Sequence, residues 1–151
     1  MKKQLKDEQQ NIFYEVEYLV SEKILYSNWT GSYLSVDQVK EGSLLALDLM
    51  RENECQLLLN DNRELEGTWD EANEWIANEW MPQAIQSGLK RFAHILPQDL
   101  FAELSAELME ENAKKVEGGF QLKMFNNREE AENWLLENSA KAELENGNLT
   151  S

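Results

Sequence analysis

Four polar residues directly after an apolar segment form the stretch of this chain with the most potential for chemistry. Cys55 to Leu59 is short and almost wholly apolar, as expected of a strand covered on both faces. The residues that follow are Asn60, Asp61, Asn62 and Arg63. A carboxylate, two amides and a guanidinium at one strand end can hold a polar ligand or a charged group of a partner. The same residue types commonly form turns, so a simple turn with an Arg63–Asp61 pair is the alternative interpretation.

The chain after this polar run predicts the start of a helix. Thr68 and Glu71 have the spacing of a capping box, and acids in a first turn favour the positive end of the helix dipole. A hydroxyl at a helix start is also a candidate phosphorylation site, because a phosphate there meets exposed amides. Capping and phosphorylation are therefore both open for Thr68.

Three tryptophans fall within the same predicted helix, namely Trp69, Trp75 and Trp80. Their spacing rotates them around the helix axis, so they cannot all lie on one stripe. An exposed Trp69 or Trp75 would indicate a partner surface, whereas partial burial at the helix edge is the structural alternative.

The residues that usually carry catalysis do not form a recognisable constellation. His94 is the only histidine, and its apolar strand predicts a packed, hydrogen-bonded residue instead of a catalyst. Without a second histidine or cysteine, a zinc site would have to consist of carboxylates alone. The sequence contains no P-loop, GxGxxG pattern or nucleophile elbow. We therefore expect no catalytic residues, no metal and no cofactor, and predict that the chain is not an enzyme.

The charge balance narrows the range of partners. Lys and Arg number 14 against 29 Asp and Glu, which gives a formal net charge of -15. A field of this sign repels phosphate backbones and anionic lipid surfaces, so nucleic acid is not an expected partner. No stretch approaches the roughly 18 to 20 apolar residues of a membrane span, which predicts no stable membrane insertion. The lone Cys55 and the absence of an export signal in the first residues predict a cytoplasmic protein.

The N-terminal part of the chain has the pattern of a β-hairpin. Apolar and polar residues alternate from Ile12 to Val20, and a second apolar segment runs from Ile24 to Thr30 after a short polar break. Residues 1–11 lack such a pattern and are expected to be a flexible N-terminus.

Helical and strand patterns alternate after the hairpin. The predicted elements are a helix from Ser35, a strand at Cys55–Leu59, a helix from Thr68 kinked or broken at Pro82, a strand at Lys90–Leu96, a helix from Asp99, a strand at Phe120–Phe125 and a helix capped by Asn127. This order predicts an α/β fold in which a mixed sheet of about five strands, an antiparallel hairpin followed by parallel strands, carries about four helices. We expect one domain over residues 12–138 and a disordered tail at 139–151.

Ligands of open α/β sheets usually lie beyond the carboxyl ends of the parallel strands. Three predicted loops meet there, at Asn60–Arg63, Pro97–Asp99 and Asn126–Asn127. The polar run is therefore expected at an edge of the sheet that other loops share.

The element order resembles that of the STAS domain, which is typified by bacterial anti-sigma-factor antagonists. Local segments also look like those of uncharacterised STAS-like bacterial proteins. These segments are Ile24–Gly31, Leu59–Arg63, Trp80–Pro82, Gly88–Arg91 and Phe125. The similarity as a whole covers about residues 12 to 137. This resemblance implies a non-enzymatic domain that signals by docking a partner, sometimes under control of a phosphate on Ser or Thr at the start of the helix after the third strand.

The antagonists place that hydroxyl close behind an Asp, and this chain departs from the pattern. Asp61 is followed by Asn62 and Arg63, and the first hydroxyl is that of Thr68. Only Asp61 and Thr68 are carried over as candidates. STAS-like folds are also similar to CRAL-TRIO lipid-binding domains, which implies an apolar ligand as an alternative.

Two hypotheses about function follow from the sequence. The first is a regulatory module that binds another protein through candidate residues near the predicted edge, namely Asn60, Asp61, Asn62, Arg63, Thr68, Trp69 and Trp75. The second is a domain that binds a small molecule or lipid in a crevice at the strand ends.

Overall fold

A computed structural model describes residues 2–67, 70–96 and 120–136 of the chain. Its centre is a six-stranded sheet with the strands in sequence order: β1 (Lys2–Lys6), β2 (Ile12–Leu19), β3 (Ile24–Trp29), β4 (Leu57–Asp61), β5 (Arg91–Ile95) and β6 (Gln121–Phe125). The first three strands pair antiparallel, and β3 to β6 pair parallel. The predicted α/β class with a mixed sheet, an antiparallel hairpin followed by parallel strands, is confirmed.

The sheet has one strand more than expected, because part of the segment expected to be flexible forms β1. Its residues pair with β2, with Gln4 opposite Glu15 and Lys2 opposite Glu17. Lys2 Nζ lies 3.1 Å from Glu15 Oε1, and Gln4 Nε2 donates a 2.8 Å hydrogen bond to Glu15 Oε2. Cross-strand polar pairs of this kind stabilise the ladder between β1 and β2. The strand was missed because its side chains are almost all exposed.

The first helix, α1 (Val36–Glu52), begins as the sequence predicted. Ser35 Oγ accepts a hydrogen bond from Gln38 N, and the Gln38 side chain accepts one from Ser35 N. This capping box satisfies two amides that have no partner within the helix. The buried face of α1 then lies on the sheet through Val39, Ala46, Leu47 and Met50.

The second helical segment is interrupted, as expected from Pro82. It consists of α2 (Asp70–Trp75), a π-helical turn at Ile76–Trp80 and α3 (Met81–Gln86), with Pro82 in the first turn of α3. A proline is tolerated there because the first amides of a helix have no intrahelical acceptor. Trp80 Nε1 donates a 2.6 Å bond to the Ser43 carbonyl oxygen, which fastens this turn to α1.

Apolar side chains pack on both faces of the sheet. One face, with Leu25, Leu58 and Phe92, lies beneath α1, α2 and α3. The other face, with Ile24, Leu57, Leu59, Ala93 and Ile95, lies beneath Ala131 and Leu135 of a helix α4, which begins at residue 128 and is described as far as residue 136. The central parallel strands are therefore buried on both sides, which explains their continuous apolar sequences.

Several predicted features lie outside the described residues. They are Thr68 and Trp69, the loop at Pro97–Asp99, the helix from Asp99 and the tail at 139–151. Within the part of the chain that the structure describes, no helix is both long and apolar enough to cross a membrane.

Candidate functional site

The polar run divides between the two faces of the sheet. The predicted strand Cys55–Leu59 is displaced by two residues: β4 covers Leu57–Asp61, so Asn60 and Asp61 are its last residues and not part of a turn. Successive side chains of a strand point to opposite faces. Asn60 accordingly contacts Trp29 and His94 on the face covered by α1, α2 and α3. Asp61 contacts Tyr26 on the face covered by α4. Beyond the strand, Asn62 contacts His94 and Arg63 contacts Asp61, so these two residues are divided in the same way.

A network of two amides, an indole and an imidazole lies on the face of the sheet that α1, α2 and α3 cover. Trp29 Nε1 donates a 2.9 Å hydrogen bond to Asn60 Oδ1. The amide nitrogen of Asn60 lies 3.1 Å from Nδ1 of His94, and the amide nitrogen of Asn62 lies 2.8 Å from Nε2. Asn60 Nδ2 also donates a 3.3 Å bond to Asn62 Oδ1. His94, Asn60 and Asn62 are all buried. The polar groups in this part of the interior are therefore satisfied by one another.

The hydrogen bond from Trp29 to Asn60 favours one protonation state of the His94 ring. A neutral imidazole has one donor and one acceptor, so the two amides cannot both donate to it. Asn60 must present its nitrogen to Nδ1, because its oxygen already accepts the bond from Trp29. We assign the proton to Nε2, which requires the Asn62 amide to turn its oxygen toward the ring. This orientation gives up the 3.3 Å bond from Asn60 Nδ2 to Asn62 Oδ1, which is the longest contact of the network.

His94 is fully buried, and its environment keeps the ring neutral. Burial lowers the pKa of His94 from 6.5 to about 3, against a smaller opposing effect of the Asp61 charge. A charged imidazolium would also need two acceptors, and the Asn60 oxygen is already used by Trp29. His94 is thus the packed, hydrogen-bonded residue that its apolar strand predicted.

An ion pair centred on Asp61 occupies the opposite face at the strand end. Arg63 donates from Nε to Asp61 Oδ1 at 3.0 Å and from Nη2 to Oδ2 at 2.8 Å. The backbone amide of Arg63 also donates to Oδ1, and the Tyr26 hydroxyl donates to Oδ2 at 2.7 Å. The Arg63–Asp61 pair that the sequence suggested is therefore present, but Asp61 lies at the end of β4 and not in a turn.

These contacts set the protonation states of Asp61 and Tyr26. Burial alone would raise the pKa of Asp61, but the hydrogen bonds from Arg63 and Tyr26 outweigh it and lower the pKa below its ordinary value. Burial and the hydrogen bond to Asp61 raise the pKa of Tyr26. Asp61 is therefore a paired carboxylate and Tyr26 a protonated phenol near neutral pH.

A second arginine, Arg128, reaches the same tyrosine from the start of α4. The guanidinium carbon of Arg128 lies 3.9 Å from the ring centroid of Tyr26, and Arg128 Nε donates a 2.9 Å bond to Glu132 Oε1. In the preceding loop, Asn127 Oδ1 accepts a bond from the amide of Glu130, which caps α4. The predicted meeting of the Asn60–Arg63 and Asn126–Asn127 loops at one edge thus brings two arginines around Tyr26.

The loop after β3 adds an exposed aromatic side chain to this edge. Tyr33 has 76% of its surface exposed and a backbone φ of 49°. Its amide donates a 2.8 Å bond to the Glu66 carbonyl oxygen, and Glu66 donates back to the Gly31 carbonyl oxygen. Gly67 has a φ of 92°, and a Cβ there would lie 2.7 Å from the Tyr33 ring. The two loops therefore hold Tyr33 in a conformation that is unusual for a residue other than glycine.

The structure brings some predicted residues together and separates others. Asn60 and Asn62 are interior, Asp61 is buried in its ion pair, and Arg63 reaches the surface. Trp75 is partly buried, with Lys40 Nζ 5.3 Å from its ring centroid, so it lies at a helix edge. The predicted roles of Thr68 and Trp69 stay predictions.

Sequence reasoning missed Tyr26, Tyr33 and Arg128. Alternation along β3 could have placed Tyr26 on the face of Asp61, since Tyr26 pairs with Leu59 and Asn28 with Asp61. Arg128 directly follows the Asn126–Asn127 loop that had been assigned to this edge. Nothing in the sequence around Tyr33 signals its positive φ.

The described residues leave little room for a ligand inside the end of β4. The cavity that reaches Asn60 has a volume of about 20 Å³, with Ser27, Ser43 and Trp80 among its lining residues. This is enough for about one water molecule. A wider depression of about 640 Å³ lies at the opposite edge of the sheet, where Tyr18, Asn53 and Leu57 contribute to its walls.

Among the described residues, no group of three or more His, Cys, Asp or Glu side chains could hold a metal ion. Comparison of the chain with protein-family models, with curated proteins and with solved structures gave no match.

Proposed function

We propose that this chain is a non-enzymatic, cytoplasmic regulatory module that docks another protein, as its STAS-like resemblance implies. The docking surface lies at the carboxyl ends of the parallel strands β3 to β6, which we call the carboxyl edge. The observation that carries the proposal is Tyr33, an exposed aromatic residue held in a positive-φ conformation beside the loop that contains Arg63. Unusual backbone conformations persist where the surrounding structure maintains them, and they cluster at functional sites. Tyrosine and arginine are also enriched among the residues that dominate binding energy.

The ionisable groups of this edge favour binding over catalysis. Asp61 is ionised but bound by Arg63 and Tyr26, so its lone pairs are occupied and its basicity is lowered. Tyr26 has a raised pKa and therefore lacks the readily lost proton of a general acid near neutral pH. His94 is neutral and enclosed by amides in the interior. Each group is held in place by others, which suits a surface of fixed shape.

Thr68 remains the candidate phosphosite of this proposal. It follows Gly67 in the chain, and Gly67 lies against the Tyr33 ring. A phosphate on Thr68 would add negative charge close to the docking edge and would alter the affinity for a charged partner. Mass spectrometry of the protein from its native cells tests this directly.

The small-molecule or lipid alternative has less support at the end of β4. The cavity that reaches Asn60 holds about one water molecule, far less than the roughly 300 Å³ of a small ligand site. Native mass spectrometry of the protein purified without denaturation would support this alternative if a small molecule remained bound to it.

Site-specific photo-crosslinking in native cells tests the docking proposal. A photoreactive amino acid replaces Tyr33 in one version of the protein and Val20 in the other. These positions have similar exposure, 76% and 73%, but lie at opposite edges of the sheet. We expect a discrete crosslinked protein from position 33 and none from position 20. Equal products from both positions, or none from position 33, would contradict docking at the carboxyl edge.

A further inference from the structure

Two of the four arginines of the chain converge on one tyrosine at the carboxyl edge. Arg63 is joined to Tyr26 through Asp61, and Arg128 lies 3.9 Å over the Tyr26 ring. Arg51 and Arg91 lie elsewhere, at the end of α1 and the start of β5. A chain of net charge -15 thus presents two guanidinium groups next to one tyrosine at the edge where docking is proposed.

Both guanidinium groups are held in place yet retain donors for another molecule. Arginine has five N–H groups, and Arg63 gives two of them to Asp61 while Arg128 gives one to Glu132. Arg63 also interacts with the Tyr26 side chain, and Arg128 makes no second side-chain hydrogen bond among the described residues. The side chains of Arg63 and Arg128 are 41% and 38% exposed. Since the rotamers are already fixed by the ion pairs and the Tyr26 ring, a ligand would pay little entropy to use these donors.

We propose that the docked partner presents an acidic segment, and that one of its carboxylates lies between Arg63 and Arg128. This inference rests on the docking function proposed above and names the chemistry of the partner. Guanidinium donors match the two oxygens of a carboxylate in geometry. Each arginine is already paired with an acid of the chain, Asp61 or Glu132, so the site would hold the segment through directed N–H donors and not through net positive charge.

The test is an NMR titration of the arginine Nε–Hε signals of the complete chain at low ionic strength. The probes are a blocked octaglutamate peptide, a blocked octaglutamine peptide and inorganic phosphate. With octaglutamate, we expect the signals of Arg63 and Arg128 to shift together and to saturate, while those of Arg51 and Arg91 stay in place. Octaglutamine should leave all four signals unchanged.

Matched variants separate a specific site from general attraction. Arg128→Gln should weaken octaglutamate binding by about tenfold or more, because charge-assisted hydrogen bonds are lost. Arg128→Lys keeps the charge but not the planar fork, so an intermediate loss is expected. Arg51→Gln, which removes an arginine bonded to Ser87 far from the site, should leave the affinity unchanged.

Three results would overturn the inference. The first is the absence of a saturable shift with octaglutamate, and the second is a shift at Arg51 and Arg91 equal to that at Arg63 and Arg128. The third is saturation by phosphate at a lower concentration than by octaglutamate, which would assign the site to a phosphate ligand. Its failure can be told apart from failure of the docking proposal. If crosslinking at position 33 succeeds and Arg128→Gln does not diminish it, docking stands and the acidic-segment inference falls.

Discussion

Asp61 and Arg63 form a two-bond ion pair in which the carboxylate is buried and the guanidinium reaches solvent, with side-chain exposures of 3% and 41%. The pair therefore has two functions in the structure: it neutralises a charge at the sheet end and fixes the orientation of a surface arginine.

Replacement of Arg63 by alanine is expected to destabilise the fold by about 1 to 3 kcal/mol, because a buried carboxylate loses two donors. The exposure of Arg63 keeps the effect below that of a fully buried pair, since solvent screens part of it. Urea denaturation at neutral pH measures the change. Arg51→Ala, which removes an arginine bonded to the neutral Ser87, is the control and should cost much less. Equal losses for both variants would contradict a special role of the Asp61 pair.

The stability of the protein should decrease as the pH falls from about 6.5 toward 3, because of His94. The unfolded chain takes up the imidazole proton near pH 6.5, whereas the folded chain does so only near pH 3. Between these values the unfolded state binds more protons, so the free energy of unfolding falls with decreasing pH, by at most about 1.4 kcal/mol per pH unit for one proton. Urea denaturation between pH 5 and 6.5 tests this, with His94→Gln as the control. An identical pH slope in that variant would disprove the assignment.

The proton of the neutral His94 ring should reside on Nε2. Asn60 is held by Trp29 so that its nitrogen faces Nδ1, which makes Nδ1 the acceptor. Long-range proton–nitrogen NMR correlation of the ring distinguishes the two tautomers, and the assignment is simple because the chain has one histidine. Trp29→Phe should loosen this preference by releasing the Asn60 oxygen. A protonated Nδ1 in the parent protein would refute the proposed orientation of the network.

Gly67 and Gly88 provide a matched pair for testing how Tyr33 is held. Both have positive φ, but a Cβ at Gly67 would meet the Tyr33 ring at 2.7 Å, whereas one at Gly88 has nothing within 4 Å. Each alanine substitution should lose about 1 to 2 kcal/mol of stability through the left-handed backbone. Gly67→Ala should lose more, since the ring and the loop must also shift. Adding Tyr33→Ala should remove part of that excess in thermal denaturation, and an unchanged difference would argue against the Tyr33–Gly67 contact.

Local patterns in the sequence were sufficient for the parts of the fold that repeat along the chain. The alternation from Ile12 and the apolar run before Asn60 predicted β2 and β4, and Ser35 with Gln38 predicted the start of α1. The end of β4 was misplaced because Asn60 and Asp61 are polar. They remain in the ladder opposite Ser27 and Asn28, where other polar side chains satisfy them.

The candidate site depended on register and loop geometry, which are not local properties. Tyr26 meets Asp61 because β3 and β4 pair in parallel, and Arg128 meets Tyr26 because β6 ends at the same edge. Tyr33 adopts its conformation through bonds to a loop more than thirty residues away in the chain. A single sequence records neither relationship.

The lysines of β1 have a consequence for how molecules of this protein meet one another. Lys2, Lys3 and Lys6 lie on the outermost strand, so a second molecule adding its own first strand there would bring ammonium groups together. A chain shortened to begin at Asp7 would lose these lysines. Its β2, in which apolar residues alternate with polar ones, would then be an unprotected edge strand. Such a shortened protein should self-associate in light-scattering measurements at concentrations where the parent stays dispersed.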